Sequence, residues 1–128
     1  VAQQPDGSIH SLFSAKEKVE KLPDSKRLED QALCIRALLA SAKRLELPLY
    51  RWSALDIYYA MNRSLFDQNR QFYYAELGAD GKSNKAAGIR DVVLALLAGQ
   101  ELAEFMPNDT REQWERLSSR WIRSLQDL

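Results

Sequence analysis

Residues 77–84 read L-G-A-D-G-K-S-N, and Gly81-Lys82-Ser83 is the fragment of this sequence closest to a defined chemistry, the phosphate-binding loop of nucleotide enzymes. Such a loop needs four residues between its glycines, so that successive backbone amides wrap a phosphate, and it leaves a strand to enter a helix. Here two residues separate Gly78 from Gly81, and the aromatic segment before them reads as helix. The spacing therefore predicts a capped turn between helices, with Gly78 closing one and Ser83 or Asn84 opening the next. Lys82 beside that helix start is a candidate anion contact.

His10 is the only histidine and Cys34 the only cysteine. That argues against Ser-His-Asp and Cys-His catalysis unless His10 and Cys34 meet, it removes H-E-x-x-H metal sites outright, and a single thiol can build neither a disulfide nor a cysteine zinc cluster. No metal and no cofactor are expected. Carboxylates can still work in pairs, and Asp56 and Asp67 are the nearest candidates, with Glu76 and Asp91 further off. Their spacing to Arg63 instead reads as a helix-surface ion pair between Arg63 and Asp67.

Eight of the twelve aromatic residues lie within positions 50–74, interleaved with Arg51, Arg63 and Arg70. Tyrosine and arginine are enriched in protein interfaces, and neighbouring residues on a helix point about 100° apart. One ring of each pair, Tyr58-Tyr59 and Tyr73-Tyr74, should therefore approach the surface. Trp52, Tyr59, Arg63, Arg70, Tyr73 and Tyr74 form the expected partner-binding surface. A second candidate is the stripe Arg116, Arg120 and Arg123, spaced four and three, which suits phosphates or an acidic protein surface.

The charge balance weighs against nucleic acid. Eighteen basic and eighteen acidic residues cancel over the whole chain, and no segment departs from neutrality by more than one charge when it is cut at residues 48 and 83. Nucleic-acid domains usually concentrate cations to neutralise phosphates.

What must position these residues is a set of amphipathic helices. After an irregular lead-in over residues 1–12, Ser14-Ala-Lys-Glu17 is a capping box for a short helix over about 15–22. A helix from Asp24 to Pro48 buries Leu28, Ala32, Ile35, Leu39 and Ala42, widened by Leu38 and Leu45, and leaves Leu33 off that face as a candidate second interface. Ser53-Ala-Leu-Asp56 caps a third helix burying Ala54, Ile57, Tyr58, Met61 and Leu65, which breaks near Gln68-Asn69 or runs on to Leu77. Lys85–Ala98 is a fourth, with Ile89, Val92, Val93 and Leu96 inward and Gly99 as its kink or end. Thr110-Arg-Glu-Gln113 caps the last, which buries Trp114, Leu117, Trp121 and Leu125. The absence of a second strand candidate argues against reading V-V-L-A-L-L as a strand.

The fold predicted is all-α, one compact bundle of five to six helices spanning residues 1–128, soluble and cytoplasmic, although a start at Val1 is compatible with an exported or excised domain. The function expected is a non-enzymatic interaction domain that docks a protein partner. Nucleic-acid binding through the Arg116, Arg120 and Arg123 face is the alternative, and a small-molecule or carboxylate-based enzyme is a third reading.

Overall fold

The computed structural model describes residues 26–78, 81 and 85–126, with the side chain of Leu125 also outside the described set. The proposed helix over 15–22, its capping box, His10, Asp24, Lys82, Ser83 and Asn84 all lie outside it.

The described chain is mostly helical, with four α-helices where five or six were expected, and it also contains short antiparallel strands. In order they are β1 (Lys26–Arg27), α1 (Leu28–Leu45), α2 (Leu49–Leu65), β2 (Phe66–Asp67), β3 (Phe72–Tyr73), β4 (Glu76–Leu77), α3 (Ile89–Leu102) and α4 (Asn108–Gln126), with a single 3-10 turn at Ala103–Phe105. No helix among the described residues is long and apolar enough to cross a membrane.

Helix α1 follows the sequence closely on its inner face, since Leu28, Ala32, Ile35, Leu39 and Ala42 are all buried. Its ends differ. Residues 26–27 are strand, because β1 pairs with β4 and the Leu28 amide donates to the Ala75 carbonyl at 2.9 Å. At the other end the helix stops before Pro48, with Glu46 in the left-handed region (φ 54°) and the Leu47 amide returning to the Ala42 carbonyl at 3.0 Å. This is the Schellman arrangement, which satisfies carbonyls that the last turn leaves open. Leu45, just before it, is exposed rather than buried.

Pro48 thus opens α2 instead of closing α1, as the fixed φ of proline favours a helix start. Ser53 lies inside α2 and caps nothing. The inner face of this helix is as expected, with Ala54, Ile57, Tyr58, Met61 and Leu65 buried.

The larger departure comes at Phe66. The chain turns extended there and makes a hairpin, β2 pairing with β3 in the register Phe66 to Tyr73 and Asp67 to Phe72. Asp67 causes the break: its Oδ1 accepts from the amides of Asn69 (2.9 Å) and Arg70 (3.0 Å), offering them a bond that competes with the helix ladder. Gln71 closes the turn in the left-handed region (φ 59°). The segment 72–77 is therefore strand-like, and Gly78 follows β4 rather than ending a helix.

The same pairing delays α3. The Ala75 amide donates to the Lys85 carbonyl at 2.8 Å, the Ala87 amide donates to the Tyr73 carbonyl at 2.8 Å, and Tyr74 bridges Ala86. Residues 85–87 thereby serve the aromatic strand, so α3 starts at Ile89 with Gly88 as its N-cap, and Ser83 and Asn84 precede it by too much to cap it.

Its buried face is Val92, Ala95, Ala98, Gly99 and Leu102, whereas Ile89 and Val93 are exposed at 59% and 36%. The expected inner face is rotated because small residues let α3 approach its neighbours closely. Gly99 neither kinks nor ends the helix; the Trp114 ring lies against it. Helix α4 begins at Asn108, so Thr110 is inside it. Arg111 fastens this helix by donating to the carbonyls of Ala103 (2.9 Å), Glu104 and Met106 (both 3.3 Å), in and just after the 3-10 turn.

One core results, with α1 packed between α2 and α3 and α4 laid across them through Trp114, Leu117 and Trp121.

Candidate functional site

A groove of about 530 Å³ lies between the second half of α2, the β2–β3 hairpin and α4. From α2 come Tyr58, Tyr59, Asn62 and Arg63, followed by Phe66; the hairpin turn supplies Gln68 and Gln71; α4 supplies Thr110, Gln113, Trp114, Arg116, Leu117 and Arg120. Positions 59, 62 and 63 share one side of α2, with Phe66 just past its end, and 110, 113, 117 and 120 share one side of α4, as the 3.6-residue repeat requires.

The wall is braced from behind. Tyr59 and Thr110 join α2 to α4 through a hydroxyl pair at 2.8 Å. Tyr73, 3% exposed, donates to Asn62 Oδ1 at 2.6 Å, with its ring edge-on to Phe66 and 6.4 Å from the Trp121 ring. Burial pushes the Tyr73 phenol well above its ordinary range. The Tyr58 phenol is also raised by burial, an effect that hydrogen bonding to Asn62 partly offsets.

Among the described residues the charges that line the groove are of one sign, Arg63, Arg116 and Arg120, with no aspartate or glutamate beside them in its wall. Around them are amides and four aromatic rings, Tyr58, Tyr59, Phe66 and Trp114. Guanidinium groups are planar donors that match carboxylate geometry in pairs and also stack on rings. The arrangement can hold an anionic ligand with an apolar portion.

Of the residues expected at a partner surface, Tyr59, Arg63, Arg116 and Arg120 are brought together here. Tyr73 is not at the surface at all; it is core, because strand alternation turns it inward and Tyr74 outward. Tyr74 is half-buried and donates to Asp67 Oδ2 at 2.8 Å, while Arg70 is exposed in the hairpin turn, and both lie outside the groove. Trp52 sits two turns before Tyr59 on the same side of α2, exposed and beyond the groove's end. Arg123 stays on the outer face of α4, where Arg116 and Arg120 are accompanied by Glu112 and Glu115. The amide cluster Asn62, Gln68, Gln71 and Gln113 had no signal in the sequence, since its members come from three separate elements.

The carboxylate pair does not form. Asp56 is exposed early in α2, and Asp67 lies beyond the end of that helix, roughly 15 Å along its axis at 1.5 Å per residue. Asp67 is instead committed to its turn: the Arg70 amide, then the Tyr74 hydroxyl and the Asn69 amide, hold its carboxyl below the usual range. Burial raises the half-buried Cys34 thiol, and Asp30 adds to the effect, so it is no activated nucleophile.

Stability contributed by a depressed carboxylate is present above its ordinary pKa and is lost as pH falls through the folded-state value. Asp67→Ala should therefore lower the melting temperature at pH 7, and the gap to the parent should close as pH falls below about 4. Thermal melts across pH 2–8 check this; a gap that persists unchanged in acid would assign the loss to something other than the ionised carboxylate.

No family model, curated protein or solved structure matches the chain at a significant level.

Proposed function

We propose that this chain is a non-enzymatic helical interaction domain whose groove holds an extended acidic segment of a protein partner. The observation that carries this reading is the composition of the groove wall, three arginines and four aromatic rings with no carboxylate among the described residues. Length supports it further. On α4 the wall runs from Thr110 to Arg120, roughly 15 Å, which suits four or five residues of extended chain at about 3.3 Å each. Aromatic faces would take apolar side chains of the peptide, and guanidiniums its carboxylates.

Nucleic acid fits less well. The net charge is zero, and Glu112 and Glu115 interrupt the outer arginine face, so few phosphates could be neutralised at once.

Selection from a displayed peptide library tests the reading. Sequences enriched in Asp and Glu around an apolar residue are expected. The selected peptide should lose about tenfold or more in affinity, near 1.4 kcal/mol, to each of Arg116→Glu and Arg120→Glu, with Asp56→Ala as a neutral control. Selection without acidic bias, or tighter binding of single-stranded RNA with a steep salt dependence, would overturn it.

A further inference from the structure

A second surface lies on the side of the bundle made by α1 and α3. Arg90 donates to Glu29 Oε1 at 2.8 Å, and Arg36 donates to Glu101 Oε1 at 2.8 Å. The order of these pairs means that α1 and α3 run in the same direction. It also places charges at the four corners of a rough rectangle: cation on α3 and anion on α1 at the start, then anion on α3 about three turns later and cation on α1 about two turns later.

Inside that rectangle the side chains are apolar and in contact with solvent: Leu33 at 43%, Val93 at 36% and Leu97 at 41% exposed. Leu33 lies midway between Glu29 and Arg36 on α1, and Val93 and Leu97 straddle the midpoint between Arg90 and Glu101 on α3.

Alternating charges around an apolar centre are complementary to themselves. A twofold axis in the plane of the face and across the helices sets α3 on α3 in opposite directions, so Arg90 meets Glu101 of the second copy and Glu29 meets Arg36. An axis along the helices sets α1 on α3, and each cation again meets an anion. Isologous contacts require such self-matching, which most surface patches lack.

We infer that this face is an interface between two copies of the chain, built on Leu33, Val93 and Leu97 and framed by the two ion pairs. Two helices side by side over about 20 Å of length give on the order of 400 Å² per copy, at the low end of specific interfaces. The dimer is correspondingly weak and reversible.

Sedimentation equilibrium over about 5–500 µM tests the inference. The weight-average mass is expected to rise with concentration from the monomer's 14.7 kDa toward twice that value. Val93→Glu should hold it at the monomer with unchanged helical circular dichroism, and Trp52→Ala, on a different exposed apolar surface, should leave the dimer intact. In a Cys34→Ser background, Leu33→Cys should form an intermolecular disulfide with itself where α1 lies on α1, or with Val93→Cys chains where α1 lies on α3.

A parent chain that stays monomeric throughout, a dimer that survives Val93→Glu, or the absence of both disulfides would overturn the inference. Each readout is independent of peptide binding in the groove.

Discussion

Replacing Tyr73 with alanine is expected to cost about 3–5 kcal/mol, the range for emptying a buried aromatic site. Domains of this size carry about 5–15 kcal/mol in all, so the variant should lose a large fraction of its stability and melt well below the parent. The reason is position: the ring is 3% exposed, packs edge-on to Phe66 and lies beside Trp121, so it joins the hairpin to α4. Tyr73→Phe keeps that packing and loses only the hydrogen bond to Asn62, a loss of about 1 kcal/mol.

The conservative variant has a second signature. A phenol whose pKa is raised on folding contributes stability that is complete below the ordinary tyrosine value, about 10, and is lost as pH rises beyond it. The parent should therefore lose stability above pH 10, and Tyr73→Phe should flatten that fall, with Tyr58 and Tyr74 leaving a residual slope because their phenols are also raised. Urea titrations from pH 7 to 11.5 measure both effects. Equal slopes for parent and Tyr73→Phe would show that the phenol is not shielded as described.

Gly99→Ala sets two effects of opposite sign against each other. Alanine in place of glycine inside a helix normally gains about 1 kcal/mol. At this position the new methyl would stand 2.6 Å from Trp114 Cδ1 and closer still to Nε1, and the indole is a rigid ring held between α3 and α4. Overpacking of this kind costs about 1–3 kcal/mol, so the clash should prevail and the melting temperature should fall by several degrees.

Trp114 also lines the groove, so a displaced ring should weaken acidic-peptide binding as well. A double substitution with Trp114→Leu should recover part of the lost stability but not the binding. A Gly99→Ala variant more stable than its parent would mean that α4 yields at no cost.

How much of this was legible beforehand follows from where the signal lies. The inner faces of α1 and α2 were readable because large aliphatic side chains repeat at three and four. The face of α3 was misread because Ala95, Ala98 and Gly99 carry its close contacts and almost none of its hydrophobicity. Phe72-Tyr73-Tyr74 fits a helix or a strand equally well by composition. What decided it was Asp67 capturing two amides at the turn, a cue present in the sequence as Asp-Gln-Asn among aromatic strand formers.

The groove was half legible. Tyr59 and Arg63 were found through their aromatic and arginine neighbourhood, and Arg116 and Arg120 through helical spacing. That these two groups face each other depends on how α4 crosses α2, which the Tyr59–Thr110 contact fixes and no local spacing foretells.

The crossing of α4 over Gly99 has a further consequence. On α3, Gly99 lies about 200° around the helix from Leu97, so α4 and the groove it borders occupy the side away from the self-matching face. Two chains joined through α1 and α3 would leave both grooves open and pointing outward. Such a pair is bivalent: a partner with two acidic segments on a linker long enough to reach both would bind the second at a high local concentration. Its avidity could exceed that of a single groove by about 10²–10⁴ without any new contact.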